Sequence, residues 1–429
     1  MTKAYILIIF LIILNQRFSF SFPGIEIQYQ NELVNLETLN REIPRCNFSK
    51  TISFYSNQIF QTSADQIISN PGSKDSAEVF YLQGISKSKS GNYLDAVRWY
   101  TKALEHDPDF ALAYLNRAFA KNKLLDYKSA LKDYNHALQS KSLSWEESYE
   151  AYFNKGLTMA ALENLKEALA NFDFAIRLNP KYADAYYNRS IIKGINGDYT
   201  GELNDINKVI ALRPKDSHAY NSRGIVKALL GNLSEALQDY NLAITLDKNN
   251  ADAWFNKALV FYELKNYRAA LDNFTKALEI KPDGETFDRR GNVRCRLNDF
   301  RGAFEDYSEA IKIQPGNYVA YLNRGKLKYE LKDYQSAIDD YNSALQIKPD
   351  YSMAFYERGL AKKELKDHKG EIEDYTMAIE FKPDYEKAYY QRGLCKCYMG
   401  DNRGGCDDLS KAVKYGSDLA YNYQIEHCK

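Results

Sequence analysis

The side chains best suited to nucleophilic, acid–base or metal chemistry are thinly spread along this chain of 429 residues. No P-loop, dinucleotide-binding fingerprint or HExxH motif is present. The five histidines are far apart in the sequence: His106, His136, His218, His368 and His427. We therefore expect them to be surface or packing residues, and we predict no catalytic centre, no metal site and no cofactor.

The six cysteines offer limited chemistry. Cys395 and Cys397 are two residues apart, so on a helix their thiols would point about 200° apart, and a metal site at this CKC sequence is disfavoured. Cys395 and Cys406 occupy positions that are usually apolar or small, which favours buried thiols. In an oxidising compartment a disulfide of Cys428 with Cys406 or with Cys397 is possible, and the sequence does not choose between them.

A more regular polar feature is the pair Asn323-Arg324 in the stretch AYLNRG, just before Gly325. Close variants recur at YFNKG (152–156), YYNRS (186–190) and WFNKA (254–258). Such a pair could bind a ligand or could hold the fold together. Because it recurs, one explanation must apply to many sites.

The recurrence belongs to a repeat of about 34 residues that starts at residue 77. Position one falls at Ala77, Ala111, Tyr149, Ala183, Ser217, Ala251, Gly284, Tyr318, Ser352 and Glu386. Position eight is always small, and position twenty-seven is Ala in every repeat except at Val209. Two apolar stripes at helical spacing, separated by an Asn or Asp suited to an N-cap, predict a helical hairpin for each repeat.

This pattern resembles the tetratricopeptide repeat (TPR) family over residues 77 to about 417. The resemblance implies an all-α fold, a right-handed superhelical solenoid of about ten hairpins with a concave groove lined by the first helices. We expect a short C-terminal capping helix at 418–429, preceded by ten repeats at 77–417. The chain's ending is also similar to that of exported repeat proteins of the Bacteroidota. Glu202 and Glu371 depart from the pattern, because they occupy position twenty, where Ala is expected.

Position seven, the residue before the small one, varies together with position twenty-three of the second helix. Where position seven is Arg, position twenty-three is Asp, as in Arg117 with Asp133, Arg189 with Asp205 and Arg324 with Asp340; where it is Lys, position twenty-three is Asn. A guanidinium can donate two hydrogen bonds to one carboxylate, which Lys cannot do. The sequence therefore predicts structural pairs within each hairpin.

The asparagines are predicted to serve a partner instead. In the TPR family, Asn at position six often binds the backbone of a peptide in the groove, and an amide suits this because it donates and accepts hydrogen bonds. The alternative is that these asparagines bind no partner and only make the groove polar towards solvent. The predicted partner-binding groove comprises Asn116, Asn154, Asn188, Asn221, Asn256 and Asn323 together with the position-five rings Tyr81, Phe153, Tyr187, Phe255, Tyr356 and Tyr390, which we expect to be exposed.

The N-terminus and the charge balance bear on location and partner. Lys3 precedes an apolar run from Ala4 to Leu14, too short to span a bilayer, so we predict a signal peptide at 1–21, with an uncleaved anchor as the alternative, followed by a cap or tether at 22–76. The protein would then be exported, and periplasmic, cell-envelope associated or secreted. A formal net charge of zero argues against a nucleic-acid partner.

The sequence thus predicts a non-enzymatic scaffold that binds an extended peptide or a partner helix of another protein. The alternative is a structural subunit of a cell-envelope assembly that uses the convex face or the solenoid ends.

Overall fold

The computed structural model describes residues 77–140 and 142–428. The predicted signal peptide, the segment 22–76 and Cys46 lie outside the described residues. The described part is all-α, without a β-strand, and divides into two compact units after Asp247. None of the helices in these ranges is long and apolar enough to cross a membrane.

The N-terminal unit contains five helical hairpins in its described part, 77–247. Its helices are α1 (Ala77–Lys89), α2 (Tyr93–His106), α3 (Ala111–Lys123), α4 (Tyr127–Gln139), α5 (Trp145–Ala161), α6 (Leu165–Leu178), α7 (Ala183–Ile195), α8 (Tyr199–Leu212), α9 (Ser217–Leu229) and α10 (Leu233–Leu246). Each helix packs on the next one in the chain.

The C-terminal unit, 248–428, contains five further hairpins and one final helix. Its helices are α11 (Ala251–Glu263), α12 (Tyr267–Ile280), α13 (Gly284–Arg296), α14 (Phe300–Ile313), α15 (Tyr318–Glu330), α16 (Tyr334–Ile347), α17 (Ser352–Glu364), α18 (His368–Phe381), α19 (Glu386–Tyr398), α20 (Asn402–Lys414) and α21 (Asp418–His427). The prediction of helical hairpins is confirmed.

In most hairpins the small residue of position eight lies against an aromatic ring of the second helix, which is replaced by Ile206 in the fourth repeat and Leu409 in the tenth. In the eighth repeat a Cβ added to Gly325 would lie 2.6 Å from Cε1 of Tyr341, and the Tyr341 side chain is fully buried. Glycine therefore allows a large ring to lie against the backbone of the first helix. This contact fixes the two helices of a hairpin at close range.

The polar residue between the two helices caps the second helix in most repeats. Asp333 is typical, since its Oδ1 accepts a hydrogen bond from the Ser336 backbone N–H. Asn164 and Asn232 occupy the same place without a side-chain cap, so capping is less general than the sequence indicated. The four extra residues of the second repeat lengthen the following helix α5, which begins with a capping box between Ser144 and Glu147.

Candidate partner-binding surface

Arginine at position seven and aspartate at position twenty-three are joined in the same geometry wherever both occur. In the eighth repeat, Arg324 Nε donates to Asp340 Oδ2 at 2.9 Å and Nη2 donates to Oδ1 at 2.7 Å. The same two guanidinium nitrogens contact the aspartate in the other six repeats: Arg117–Asp133, Arg189–Asp205, Arg223–Asp239, Arg290–Asp306, Arg358–Asp374 and Arg392–Asp408. The aspartates are buried. These arginines therefore hold the two helices of a hairpin together.

The third guanidinium nitrogen reaches the second helix of the preceding repeat. Arg324 Nη1 donates to Ser308 Oγ at 3.2 Å, and Arg358 Nη1 donates to Asn342 Oδ1 at 2.6 Å. One side chain thus joins three helices. The sequence pattern indicated only the contact within the hairpin, because the residue on the preceding repeat varies in type.

A second base at position eleven completes the cluster and was missed by the sequence analysis. Lys328 Nζ lies 2.8 Å from Asp340 Oδ2, so the buried carboxylate has two cationic partners. Lys121, Lys193, Lys227, Arg294, Lys362 and Lys396 pair with their own aspartates in the same way. Where position twenty-three is Asn, position eleven is uncharged, as Met159 and Phe261 show. This covariation was visible in the sequence.

The two repeats with lysine at position seven use a different arrangement. Asn171 Nδ2 donates to the Glu167 carbonyl at 2.7 Å, and Asn273 Nδ2 donates to the Ala269 carbonyl at 2.7 Å. These amides are therefore engaged within their own helix. The change from Asp to Asn removes a buried charge in the repeats that lack the arginine.

The position-six asparagines lie close to the preceding repeat and are mostly buried. Asn116 Nδ2 donates to Tyr81 Oη at 2.8 Å, and Asn323 Nδ2 donates to Asp288 Oδ1 at 2.9 Å, in both cases to position five of the preceding repeat. Asn154 and Asn188 instead donate to carbonyls four residues earlier in their own helices. At position six Asn116, Asn154, Asn188 and Asn256 are buried and Asn323 is partly exposed, while Asn221 is buried at position five of its repeat.

The expectation that the position-five rings are exposed is wrong for three of the six. Tyr81, Phe153 and Phe255 are buried. Phe153 shows the reason, since its ring packs against Phe172 of the second helix, with centroids 5.8 Å apart, and against Tyr182 before the next repeat, at 5.0 Å. The other three, Tyr187, Tyr356 and Tyr390, are partly exposed.

Side chains at positions five, six and nine form a seam between consecutive first helices within each unit. In the N-terminal unit, the hydroxyl oxygens of Tyr187 and Ser222 are 3.3 Å apart. In the C-terminal unit, Lys326 Nζ lies 2.9 Å from Glu357 Oε1. The seam includes partly exposed charged and polar residues such as Arg289, and its composition changes from repeat to repeat. It is distinct from the Arg–Asp pairs, which recur with the same geometry in seven repeats.

Glu202 and Glu371 show how position twenty tolerates a carboxylate. A Cβ on Gly194 would overlap the Glu202 side chain, so this glycine makes room for it, while Ser190 Oγ donates to the Tyr187 carbonyl at 2.7 Å. Glu371 Oε1 lies 3.1 Å from His368 Nδ1, whereas Gly359 faces the ring of Tyr375. Glu371 therefore pairs with His368 of its own helix.

Comparisons with known proteins identify the repeat type. Family models described as "Tetratricopeptide repeat" match residues 149–182, 251–283 and 318–351, and one described as "TPR repeat" matches 228–265. Tetratricopeptide repeat protein 36 of Danio rerio is 31% identical over 102 residues, which are 24% of this chain and 54% of that protein. Small glutamine-rich tetratricopeptide repeat-containing protein beta of Homo sapiens is 39% identical over 83 residues, 19% of this chain and 26% of that protein. The chain thus matches about half, or less, of the length of these relatives.

Among solved structures, a tetratricopeptide repeat protein from Parabacteroides merdae is 17% identical. It covers 59% of this chain and 98% of its own chain, with a TM-score of 0.47. The resemblance to exported Bacteroidota proteins stays a prediction. The family models and the hairpin geometry together show that this chain contains tetratricopeptide repeats.

Proposed function

We propose that this chain is a non-enzymatic protein-interaction scaffold that binds an extended peptide or a partner helix along its first helices. Proteins with these repeats generally act as scaffolds for other proteins. The observation that carries the proposal is the contrast between two sets of polar residues. The Arg–Asp pairs recur in seven of the ten repeats with a buried aspartate, whereas the seam of positions five, six and nine includes partly exposed side chains and differs in residue type between repeats.

Within the seam, four of the predicted groove residues retain exposed surface: Tyr187, Asn323, Tyr356 and Tyr390. Tyrosine and asparagine can offer a partner both apolar area and hydrogen bonds. The buried asparagines would act by shaping the seam, because their amide nitrogens donate to neighbouring groups of the chain. We propose that binding affinity resides mainly in the four exposed residues.

We further propose that the chain acts outside the cytoplasm. The apolar run near the N-terminus is typical of a secretory signal. The disulfide between Cys406 and Cys428 favours an oxidising compartment, where such bonds persist. Association with the cell envelope would agree with both observations.

A structural subunit that binds through its second helices or its ends is the second candidate. It is favoured by exposed apolar side chains, including Leu178, which is 41% exposed, and Ile347, which is 39% exposed. On the final helix, Leu419, Tyr421 and Ile425 are more than half exposed. Apolar surface of this kind can serve as an interface.

Affinity capture with paired variants separates the two candidates. The first variant combines Tyr187→Arg with Asn323→Arg, because both side chains are partly exposed in the seam and position six already holds Arg289 in the seventh repeat. The matched control combines Leu178→Arg with Ile347→Arg at the ends of second helices. Captured proteins would be quantified by mass spectrometry, and circular dichroism would verify that both variants are folded.

If the proposal is correct, partners captured by the unmodified chain are retained by the second-helix variant and lost by the first-helix variant. The reverse pattern would favour the structural subunit and contradict the proposed groove.

A further inference from the structure

Three departures from the repeat pattern meet at one place in the C-terminal unit. His368 stands at position seventeen, where nine of the repeats have Tyr, Leu, Phe or Asn; Glu371 stands at position twenty, where Ala is usual; and Cys395 stands at position ten of the next repeat. His368 and Glu371 lie one turn apart at the start of α18, and Cys395 belongs to α19. The fold thus brings imidazole, carboxylate and thiol together from two adjacent repeats.

The three donor atoms are within coordinating range of a single ion. His368 Nδ1 lies 3.1 Å from Glu371 Oε1, and one ligand atom of each of the three residues lies within 4.8 Å of the others. Donors bound to one tetrahedral zinc ion at 2.0–2.3 Å are roughly 3.5 Å apart. Closing the site therefore needs side-chain movements of about 1 Å, which rotamer adjustment can supply.

The cluster is largely buried, which distinguishes it from an ion pair on the surface and favours a bound cation. Glu371 is only 2% exposed, and its Oε2 has no hydrogen-bond donor among the described residues. A buried carboxylate oxygen left in this way costs free energy, which a bound cation would offset. The His368 side chain is 26% exposed and gives an ion a route from solvent.

The repeat provides an internal comparison. Glu202 also occupies position twenty, but position seventeen of its repeat is Tyr199 and position ten of the following repeat is Val226. Neither side chain is a ligand for Zn²⁺. A glutamate at position twenty therefore does not create the cluster by itself. Of the two glutamates at this position, only Glu371 has a histidine and a cysteine beside it.

We propose that His368, Glu371 and Cys395 bind one Zn²⁺ ion that clamps the last two repeats together. Nitrogen, oxygen and thiolate sulfur are all ligands that this ion accepts, and a three-residue set leaves a fourth position for water. One carboxylate and one thiolate balance the charge of the ion. The site does not depend on the proposed partner surface, because it lies between α18 and α19 and uses no residue of the seam.

Cobalt substitution tests the site in the full-length chain with its disulfide intact. Co²⁺ bound through a thiolate gives a sulfur-to-metal charge-transfer absorption that Co²⁺ bound only by nitrogen and oxygen lacks. We expect one equivalent of Co²⁺ to produce this band and one equivalent of Zn²⁺ to remove it. Zn²⁺ should also raise the midpoint of thermal unfolding.

The variants compare two cysteines of the same helix. Cys395→Ser should abolish the charge-transfer band and the thermal shift, whereas Cys397→Ser, two residues away, should keep both. Glu371→Gln should weaken Co²⁺ binding at least about tenfold and serves as the second ligand variant if Cys395→Ser does not fold. The proposal is overturned if the unmodified chain gives no thiolate band, or if the band survives in Cys395→Ser or disappears in Cys397→Ser.

Discussion

At the scale of single residues, the structure assigns two neighbours in one sequence motif to different roles. Arg324 turns into the hairpin and, with Lys328, surrounds the buried carboxylate of Asp340. Asn323 turns to the preceding first helix, where it donates to Asp288. Arg324 compensates a buried negative charge, and Asn323 makes a contact between two repeats. Only the second lies on the seam that we assign to a partner.

The Arg324 cluster should be energetically coupled. Asp340→Ala leaves two cations without their buried partner, and we expect it to cost about 3–5 kcal/mol. Arg324→Ala should cost less, because Lys328 still pairs with the carboxylate. A double-mutant cycle on Arg324 and Asp340, followed by chemical denaturation, should give a coupling energy of about 1–3 kcal/mol. Additive effects would contradict the pairing.

The chain supplies a matched control for this cycle. Repeat three combines Lys155, Met159 and Asn171 at the same three positions. The triple variant Arg324→Lys, Lys328→Met and Asp340→Asn reproduces that set in repeat eight. We expect it to be more stable than Asp340→Asn alone, because one cation rather than two is left without the aspartate.

Glu150 should make the stability of the N-terminal unit depend on pH. Burial, followed by the nearby Glu147 carboxylate, raises the pKa of Glu150 to about 8. The folded state therefore holds the proton more tightly than the unfolded state, and the associated stability is lost as pH rises from the unfolded pKa of about 4.5 towards 8. Glu150→Gln removes this loss.

We therefore expect the free energy of unfolding of Glu150→Gln, relative to the unmodified chain, to rise by roughly 2–4 kcal/mol between pH 5 and pH 9. Urea denaturation at several pH values measures the difference. A constant difference across this range would show that the glutamate does not titrate in this way.

At the scale of the elements, the last hairpin is closed by a helix and a covalent bond. Helix α21 contributes Ala420 to the core beside Leu409 and Ala412 of α20. Cys406 in α20 is bonded to Cys428 just after α21, with Cα atoms 5.7 Å apart. Of the two pairings that the sequence left open for Cys428, the structure has the one with Cys406, so the expectation of a buried Cys406 thiol is wrong. Cys295, Cys395 and Cys397 are free thiols.

Loss of this disulfide should loosen α21 without affecting the N-terminal unit. The bond closes a loop of 22 residues, for which the chain-entropy estimate is about 3 kcal/mol. In Cys428→Ser we expect faster amide hydrogen exchange across residues 418–427 and unchanged exchange in residues 77–247. Faster exchange throughout the chain would contradict a local role. Unchanged exchange in α21 would show that apolar packing alone holds the helix.

The elements were largely predictable from sequence, and some contacts between them were not. Helical spacing, small residues and the co-occurrence of Arg and Asp indicated the hairpins and the Arg324–Asp340 contact, because each depends on residues within one repeat. The burial of Phe153 depends in part on Tyr182, which lies at the boundary with the next repeat. The cluster of His368 and Cys395 likewise forms only when two repeats pack, so periodicity within one repeat did not reveal it.

At the scale of the whole molecule, we propose that stability and recognition rest on different side chains of the same repeats. Packing between neighbouring repeats sets the stability of such arrays, and the recurring Arg–Asp pairs add polar contacts within each hairpin. The residues of the seam between first helices differ from repeat to repeat, although position-five rings such as Phe153 also pack on the second helix. This division leaves one variable surface in each unit for a partner.

Site-specific photocrosslinking tests this division most directly. A photoreactive phenylalanine would be placed at Tyr187 and at Asn323 on first helices, and in matched controls at Leu178 and at Ile347 on second helices, in cells that normally produce the protein. We predict covalent adducts with a partner from Tyr187 or Asn323 and none from the two controls. Adducts from Leu178 or Ile347, with none from the first helices, would contradict the account.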